Sequence, residues 1–462
     1  MARSKSIALL ASALPAALAA TSGSLSALSM NVAGLPEILQ NNDVPGDKTT
    51  NTATIGQKLA EYGYDIVHVQ EDFNYHATLY EYDTHPYRTA TSGGVPFGSG
   101  LNTLSNFDWI NFTRVKWDTC SNASGADCLT PKGFTFMRAK IDEGVWLDVY
   151  NLRRILFFSL FFEISSLDRI GSDTTSTDNS YSTEDDDETA RTSNIKQVAD
   201  YIDTWSIGNA VLVFGDTNSR YTRVADNIAT FTSQNGLTDA WVEIEHAGTP
   251  PSEELLCENP STTDACETVD KLFYRGSKLL TLSATDFRYD SKNFLQSNGS
   301  ILSDHNPIFV SLDWSVSSSL RQSNFWGGPH GNWFSDVPSL PASPSPAGAT
   351  LTMRGSERVD GIGIALADGT SFTHGGAGGT ESSLTLAAGE YVNSVYLCQD
   401  KYNDHTRIFH LKATSSSGQT VSTGAETSDC VTYDAPSGFG LVGFVGQDGD
   451  EIDQLALLWG SV

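Results

Sequence analysis

The chain has 462 residues, too many for one average domain, and a hydrophobic fraction of 39% indicates packed cores rather than disorder. Its net charge of −28 gives a surface that repels phosphate backbones, so avid nucleic-acid binding is disfavoured. The charge does not exclude a phosphate substrate, because a bound cation reverses the field locally.

The first 20 residues predict a secretory signal peptide. Arg3 and Lys5 form a basic start, residues 7–16 are apolar, and residues 17–19 (Ala-Leu-Ala) have the small side chains of a cleavage site. The apolar run is too short for a stop-transfer helix. We therefore expect a secreted, extracellular protein without a transmembrane segment.

Cysteine usage agrees with export, because an even number of cysteines in an exported chain indicates disulfides. Closeness in sequence favours three pairs: Cys120 with Cys128, Cys257 with Cys266, and Cys398 with Cys430. Three sequons are candidate glycosylation sites in such a protein: Asn111, Asn122 and Asn298.

Residues 21–316 alternate strand and helix patterns, which predicts a mixed α/β domain. The predicted strands cover residues 25–32, 64–70, 101–107, 146–152, 210–214 and 307–314. The predicted helices cover residues 55–62 and 193–205.

One segment of this domain, residues 153–182, does not fit the alternation. It begins RRILFFSLFFEISS, with neither alternating polarity nor helix caps, and an acidic run at residues 184–188 follows it. A buried helix is one interpretation.

Residues 317–462 are rich in Gly, Ser and Thr and have short strand patterns without helical periodicity, which predicts a separate all-β domain. The clearest predicted strands are residues 390–397, 408–413, 440–445 and 453–459. The stretch 338–346 (PSLPASPSP) is either a linker or a loop of this domain. We favour the loop, because residues 326–333 already have the domain's character.

Acidic and amide side chains recur where strands of the first domain end, and such strand ends gather ligand sites in open α/β sheets. They are Asn31, Glu71, Asp216, Asn218, Asp270, Asp304 and His305. These residue types suit phosphoester hydrolysis. Carboxylates hold a hard cation such as Mg²⁺, and a histidine oriented by a carboxylate handles protons or phosphate near neutral pH.

The order Asn31, Gln70-Glu71, Gly215-Asp216-x-Asn218, Asp270, Ser303-Asp304-His305 resembles the endonuclease/exonuclease/phosphatase superfamily. That superfamily includes nucleases of the deoxyribonuclease I type, secreted sphingomyelinases and inositol polyphosphate phosphatases. The resemblance implies an α+β fold, a four-layered α/β sandwich of two facing sheets flanked by helices. It also implies Mg²⁺ or another divalent cation as cofactor.

The resemblance implies roles for each matching residue. Glu71 is the principal metal ligand, with Asn31 and Asp304 on the metal side. Asp216 polarises or deprotonates the attacking water, and Asn218 holds a phosphate oxygen. His305 contacts the scissile phosphate, and Asp270 accepts the other N–H of its ring.

The family pattern is broken at Arg153, where a member of this kind normally has a histidine that supplies a second charge-stabilising group on the phosphate. The pattern resumes at about residues 183–194. We hypothesise that residues 153–182 derive from an unspliced in-frame intron or a gene-model error. If the block belongs to the protein, a catalytic group is missing.

The second domain resembles jacalin-like lectins, whose fold is a β-prism of Greek-key sheets. The motifs that carry this are Trp326-Gly327-Gly328, residues 358–362 (RVDGI), Gly375-Gly376 with Gly378-Gly379, and the final run 445–459. The family holds sugar with an N-terminal glycine loop and a Gly-x-x-x-Asp loop, which implies Gly328, Asp450 and Asp453 as carbohydrate-binding residues. A purely structural role is the alternative.

Together these features predict a secreted, metal-dependent hydrolase of phosphate esters, of the sphingomyelinase or inositol-phosphatase kind, targeted to glycans by its lectin domain. One alternative is an extracellular nuclease, for which a basic groove is indicated only by Arg88, Arg114, Lys116 and Lys132. Another is a carbohydrate-binding protein with an inactive hydrolase domain.

The splicing hypothesis predicts that the mature transcript lacks the codons for residues 153–182, because one foreign block replaces a motif between two intact halves. Sequencing cDNA across this region tests it. A cDNA population that carries the block intact throughout would contradict the hypothesis.

Overall fold

A computed structural model describes residues 20–37, 42–92, 98–120, 131–153 and 181–462. The predicted signal peptide up to residue 19, Asn122, Cys128 and the anomalous block from residue 154 to residue 180 lie outside these ranges. Within them, no helix is both long enough and apolar enough to cross a bilayer.

The N-terminal domain contains strands and helices in alternation. Its strands are β1 (Ser22–Asn31), β2 (Ile66–Gln70), β3 (Tyr87–Arg88), β4 (Asn102–Ser105), β5 (Trp109–Lys116), β6 (Gly133–Asp142), β7 (Val145–Arg153), β8 (Val211–Asp216), β9 (Thr238–Asp239), β10 (Asp270–Arg275), β11 (Leu280–Tyr289) and β12 (Ile308–Val316). Its helices are α1 (Lys48–Tyr62), α2 (His76–Tyr82), α3 (Tyr181–Trp205), α4 (Thr230–Asn235) and α5 (Ala240–Glu245), with a 3₁₀ turn at Asp290–Asn293.

The strands form two six-stranded sheets, in the orders β11-β12-β1-β2-β4-β3 and β5-β6-β7-β8-β10-β9. Each sheet has one parallel pair at its centre, β1 with β2 and β7 with β8. Since parallel strands end at the same edge, each sheet brings two carboxyl ends together at that edge.

The alternation of side chains along β1 shows why four layers form. Leu25 and Ala27 face the second sheet and pack in one core with residues such as Leu212. Leu28 and Met30 point the other way, into a second core that includes Leu59 of α1. A third core packs α3 and α4 against the outer face of the second sheet. The order helices, sheet, sheet, helices is the predicted four-layered sandwich.

Helix α1 begins seven residues earlier than the helical periodicity predicted. Asp47 caps it, because its Oδ1 accepts a hydrogen bond from the backbone N–H of Thr50 over 2.8 Å. Gly63 ends it in the left-handed region at φ 63°. The first turns contain Thr and Asn rather than apolar residues, so periodicity could not reveal them.

The C-terminal domain is built of strands, and no α-helix occurs from residue 317 onward. They are β13 (Leu320–Gln322), β14 (Trp326–Gly327), β15 (Asn332–Ser335), β16 (Thr350–Gly355), β17 (Val359–Ala365), β18 (Ser371–Gly375), β19 (Thr380–Thr385), β20 (Val392–Tyr402), β21 (His405–Ser415), β22 (Thr420–Gly424), β23 (Asp429–Asp434), β24 (Phe439–Asp448) and β25 (Ile452–Ser461).

These strands form three antiparallel sheets around one apolar core, the arrangement of a β-prism. The sheet orders are β13-β25-β24-β15 with β14 paired to β25, β18-β17-β16-β19, and β22-β21-β20-β23. The proline-rich stretch 338–346 comes after β15 has paired with β24, so both of its ends join strands of this domain.

The two domains pack at the end of the sandwich where β7 begins. Gly144, just before β7, donates its N–H to Oδ1 of Asn324 over 3.0 Å. The amides of Asn111 and Gln454 exchange two hydrogen bonds of 3.0 and 3.2 Å. A glycan on the Asn111 sequon would therefore have to break this contact.

Two predicted disulfides are confirmed, Cys257–Cys266 and Cys398–Cys430. Cys120 is also disulfide-bonded, but its predicted partner Cys128 lies outside the described residues.

Arg138 on β6 is fully buried near the domain contact. Its Nε lies 3.2 Å from Oδ1 of the buried Asp148, and its guanidinium carbon lies 3.4 Å from the centre of the Trp333 ring. Arg138→Ala would leave Asp148 buried without its counter-charge. We expect it to lower the free energy of unfolding by about 3–5 kcal/mol, measured by denaturant titration of the full chain.

Lys140→Ala on the same strand is the matched control. Its partner Glu143 is more than half exposed, so we expect a loss below about 1 kcal/mol. Equal losses in the two variants would contradict the importance of the Arg138 pair.

Candidate active site

The parallel pair of the first sheet brings Asn31 and Glu71 together. Asn31 ends β1 opposite Gln70 of β2, and Glu71 follows directly. The backbone of Glu71 turns into the left-handed region at φ 57°, which is uncommon for a residue with a side chain. Nδ2 of Asn31 donates to Oε1 of Glu71 over 3.1 Å. The backbone of Glu71 is therefore strained at the point where its carboxylate lies beside the side-chain amide of Asn31.

The second sheet places three more charged residues side by side. Arg153 at the end of β7 lies opposite Asp216 at the end of β8, which in turn lies opposite Asp270 at the start of β10. Nδ2 of Asn31 lies 3.4 Å from Oδ2 of Asp216 and so joins the polar ends of the two sheets. The facing sheets thus converge on one buried polar cluster.

Glu71 is fully buried, and its oxygens have different environments. Oε1 accepts from Asn31 and from Arg153, whose NH2 group lies 2.6 Å away. Oε2 has no hydrogen-bond partner among the residues that the structure describes. Burial raises the pKa of Glu71, but Arg153 and Asn31 together lower it below its ordinary value. The group is therefore an anion at neutral pH.

The pKa of Asp216 lies well above that of an ordinary aspartate. Burial is the main cause that raises it to about 6; the charge of His305 works against this and that of Asp270 adds to it. A carboxylate with such a pKa accepts a proton readily near neutral pH.

His305 and Asp270 form a pair with a 2.8 Å contact between Nδ1 and Oδ2. Burial lowers the pKa of His305, but Asp270 outweighs it and raises the pKa well above its ordinary value. The ring is therefore charged at neutral pH. Ligand atoms of Asp216, Asp270 and His305 all lie within 4.8 Å of one another.

Asp304 and Asn218 lie beside this cluster. Oδ2 of Asp304 accepts from Nδ2 of Asn42 over 2.8 Å, and burial raises its pKa. Asn218 adopts φ 47° and donates its backbone N–H to Oδ1 of Asp216 over 3.1 Å. The seven residues that the strand ends indicated thus lie at one edge of the sandwich.

The structure adds residues that the sequence patterns did not indicate. Lys48, the buried first residue of α1, donates to the carbonyl of Ala33 and to Oδ1 of Asn42 over 2.8 and 2.9 Å. The hydroxyl of Ser303 donates to the carbonyl of Asn31 over 2.5 Å. Ser303 belongs to the Ser-Asp-His motif and could have been suspected, whereas no spacing marks Lys48 or Asn42.

The donor set fits a hard divalent cation. Its oxygens come from carboxylates and an amide, which is the chemistry that Mg²⁺ prefers. Two buried carboxylate oxygens, Oε2 of Glu71 and Oδ1 of Asp270, lack hydrogen-bond partners within the described ranges. Since buried polar atoms without a hydrogen-bond partner are costly, such oxygens favour a ligand.

The predicted sugar-binding residues lie where two strands of the C-terminal domain meet: Gly328 follows β14, Asp450 precedes β25 and Asp453 lies near the start of β25. Gly328 donates its N–H to the carbonyl of Asp453 over 2.9 Å. The side chain of Asp453 is buried and pairs with Arg407 over 2.5 Å, while Asp450 is exposed. Burial raises the pKa of Asp453 to about 6, against the opposing effect of Arg407.

Comparison with known proteins gives separate matches for the two domains. Residues 323–458 match the profile of the jacalin-like lectin domain family. The sphingomyelinase of Mycobacterium tuberculosis (strain ATCC 25618 / H37Rv) is 35% identical over 300 residues, which are 63% of this chain and 53% of the relative. An alignment of that length must include much of the N-terminal domain. The chain spans about half the length of the curated sphingomyelinases it matches.

Two further proteins either match a smaller part of this chain or have a lower sequence identity to it. The secreted RxLR effector protein 19 of Plasmopara viticola is 30% identical over 161 residues, 33% of this chain and 87% of that protein, so the matched third belongs to one family with it. A crystal structure of beta toxin from Staphylococcus aureus covers 62% of this chain and 99% of its own, with 17% identity and a TM-score of 0.39.

The fold, the order of the polar strand ends and these relationships agree. The N-terminal domain is similar to sphingomyelinases of the endonuclease/exonuclease/phosphatase superfamily, and residues 323–458 are a jacalin-like lectin domain.

Proposed function

We propose that the protein is a secreted, divalent-cation-dependent phosphodiesterase that hydrolyses sphingomyelin-type substrates and is held near them by its lectin domain. The observation that carries this proposal is the convergence of Asn31, Glu71 and Asp216 with the Asp270–His305 pair at one edge of two facing sheets. That cluster combines an anionic cation site, a proton acceptor and a charged histidine.

Asp216 is the proposed proton acceptor for the attacking water. Its raised pKa and its position between Asn31 and Asp270 suit this role. The water oxygen bonds to phosphorus, its proton passes to Asp216, and the bond from phosphorus to the leaving oxygen breaks.

His305 and Asn218 are the proposed phosphate contacts. Asp270 holds Nδ1 of His305, which leaves Nε2–H to donate to a phosphate oxygen and to offset the charge that develops there. Asn218 follows Asp216 by two residues and adds an amide donor on the same side.

We assign the cation, most simply Mg²⁺, to Glu71 with Asn31 and Asp304. When bound, it would neutralise phosphate charge and stabilise the leaving oxygen. Asn42 connects Lys48 to Asp304 on this side of the site. Its Oδ1 accepts a hydrogen bond from Lys48, and its Nδ2 donates one to Asp304.

The substrate class rests on the 35% identity to proteins named sphingomyelinase. In the proposed reaction, water and sphingomyelin give ceramide and phosphocholine, so the leaving oxygen takes up one proton and the phosphate keeps the hydroxyl. Two confirmed disulfides support export.

The rival function is a carbohydrate-binding protein with an inactive hydrolase domain, and the contact of Arg153 with Glu71 favours it. A nuclease is less well supported. Arg114 donates to the carbonyls of Ala90 and Leu101, and Arg88 to that of Tyr80, so these guanidiniums are occupied by the backbone rather than lining a basic groove.

Hydrolysis should be measured on sphingomyelin, an inositol polyphosphate, bis-p-nitrophenyl phosphate and plasmid DNA, with Mg²⁺ and with EDTA. Both this chain and a version lacking residues 153–182 should be used. We expect sphingomyelin to be the preferred substrate and EDTA to abolish turnover. His305→Ala should lower kcat/KM by about 10²–10⁴-fold, because it removes a charged donor to the phosphate.

His246→Ala is the control for this substitution. Its ring packs on Trp241 and donates from Nε2–H to the carbonyl of Ala265, outside the polar cluster. It should leave kcat/KM within about twofold of that of the parent, whose site it does not touch. No turnover of any substrate by either chain would refute the hydrolase proposal.

The lectin domain gives a pH prediction. The carboxylate of Asp453 accepts hydrogen bonds from sugar hydroxyls when it is ionised, and its pKa is about 6. Glycan affinity should therefore be full above pH 6 and fall as the pH drops through that value. Asp453→Asn should bind weakly at every pH, as measured on a glycan array from pH 4.5 to pH 8. An affinity independent of pH would exclude this residue from the sugar site.

A further inference from the structure

We propose that, in the chain that contains residues 153–182, Arg153 competes with the divalent cation, because its guanidinium neutralises Glu71 and weakens cation binding. The inference rests on the proposed function for the identity of the cation site. It concerns a residue that the site does not need for the reaction described above.

The side chain of Arg153 is buried and held in a fixed position. It ends β7 in register with Asp216, and its side chain is 1% exposed. The NH2 group contacts Oε1 of Glu71 at 2.6 Å, and the guanidinium carbon lies 5.1 Å from the centre of the Phe73 ring. The charge is therefore fixed beside the carboxylate assigned to the cation.

The guanidinium is held by charge rather than by a full set of hydrogen bonds. Nε and NH1 have no partner among the residues that the structure describes. A buried arginine usually satisfies more of its five donors, often through a bidentate contact. Its one strong contact here is with Glu71, so the fixed positive charge compensates the acidic cluster.

A cation bound to Glu71 would lie close to this charge. Like charges within a few ångströms repel strongly in a buried site, where the solvent screens them least. Arginine cannot relieve the repulsion by losing its proton. A cation that binds Glu71 must therefore either displace the Arg153 guanidinium or bind with that positive charge still beside it.

The test is calorimetric titration of the metal-free full chain with MnCl₂ and with MgCl₂. Arg153→Ala should bind the cation at least tenfold more tightly than the parent chain. Arg153→Gln, which keeps a donor for Glu71 without the charge, should also bind more tightly. Adding Glu71→Gln to Arg153→Ala should abolish the gain, because the ligand is lost. Arg88→Ala removes one positive charge from the same domain and should leave the affinity unchanged.

A second readout is thermal unfolding. In EDTA, Arg153→Ala should unfold at a lower temperature than the parent, and saturating cation should reverse this, because the cation replaces the lost charge. Binding by Arg153→Ala and Arg153→Gln no tighter than that of the parent would overturn the proposal. Binding of inorganic phosphate that disappears in both variants, with unchanged cation affinity, would also overturn it and would assign the guanidinium to the phosphate. Tighter cation binding without hydrolysis would support this inference and refute the proposed function.

Discussion

The face-to-face packing of two six-stranded sheets determines where every polar residue of the site lies. Each sheet has a parallel pair at its centre, and the packing places the carboxyl ends of both pairs at the same edge. Asn31 reaches from one sheet to Asp216 of the other across that edge. Because the apolar core between the sheets fixes their separation, it also fixes the distance between the two halves of the polar cluster.

The polar cluster holds several carboxylates close to two positively charged side chains. Glu71, Asp216 and Asp270 are buried together with the half-buried Asp304 beside them, which would be unfavourable for so many anions without nearby positive charge. Burial keeps Asp216 partly protonated near neutral pH, while His305 and Arg153 supply internal counter-charges. A site organised in this way is stable only while cationic groups, of the chain or from solution, balance its carboxylates.

The resemblance to the superfamily implied the four layers. The mixed α/β character and the seven polar residues beside the strands followed from the sequence because strand patterns and residue order are local. The start of α1 did not, since its first turns are polar and Asp47 defines its boundary through a side-chain cap. The contact of Arg153 with Glu71 spans 82 residues, and no spacing within β7 could indicate it. Lys48 was missed for the same reason, because its partners are carbonyls and amides that become neighbours only in the folded domain.

The C-terminal domain contacts the sandwich where β7 begins, whereas the polar cluster lies where β7 ends. The nine residues of β7, at about 3.3 Å per residue, extend roughly 30 Å from the contact of Gly144 with Asn324 to Arg153. A small phosphoester bound in the polar cluster is too short to reach that contact. Under the proposed function, glycan binding would then aid hydrolysis by raising the effective concentration of the chain near its substrate, an effect that increases with glycan density and leaves the intrinsic rate constant unchanged.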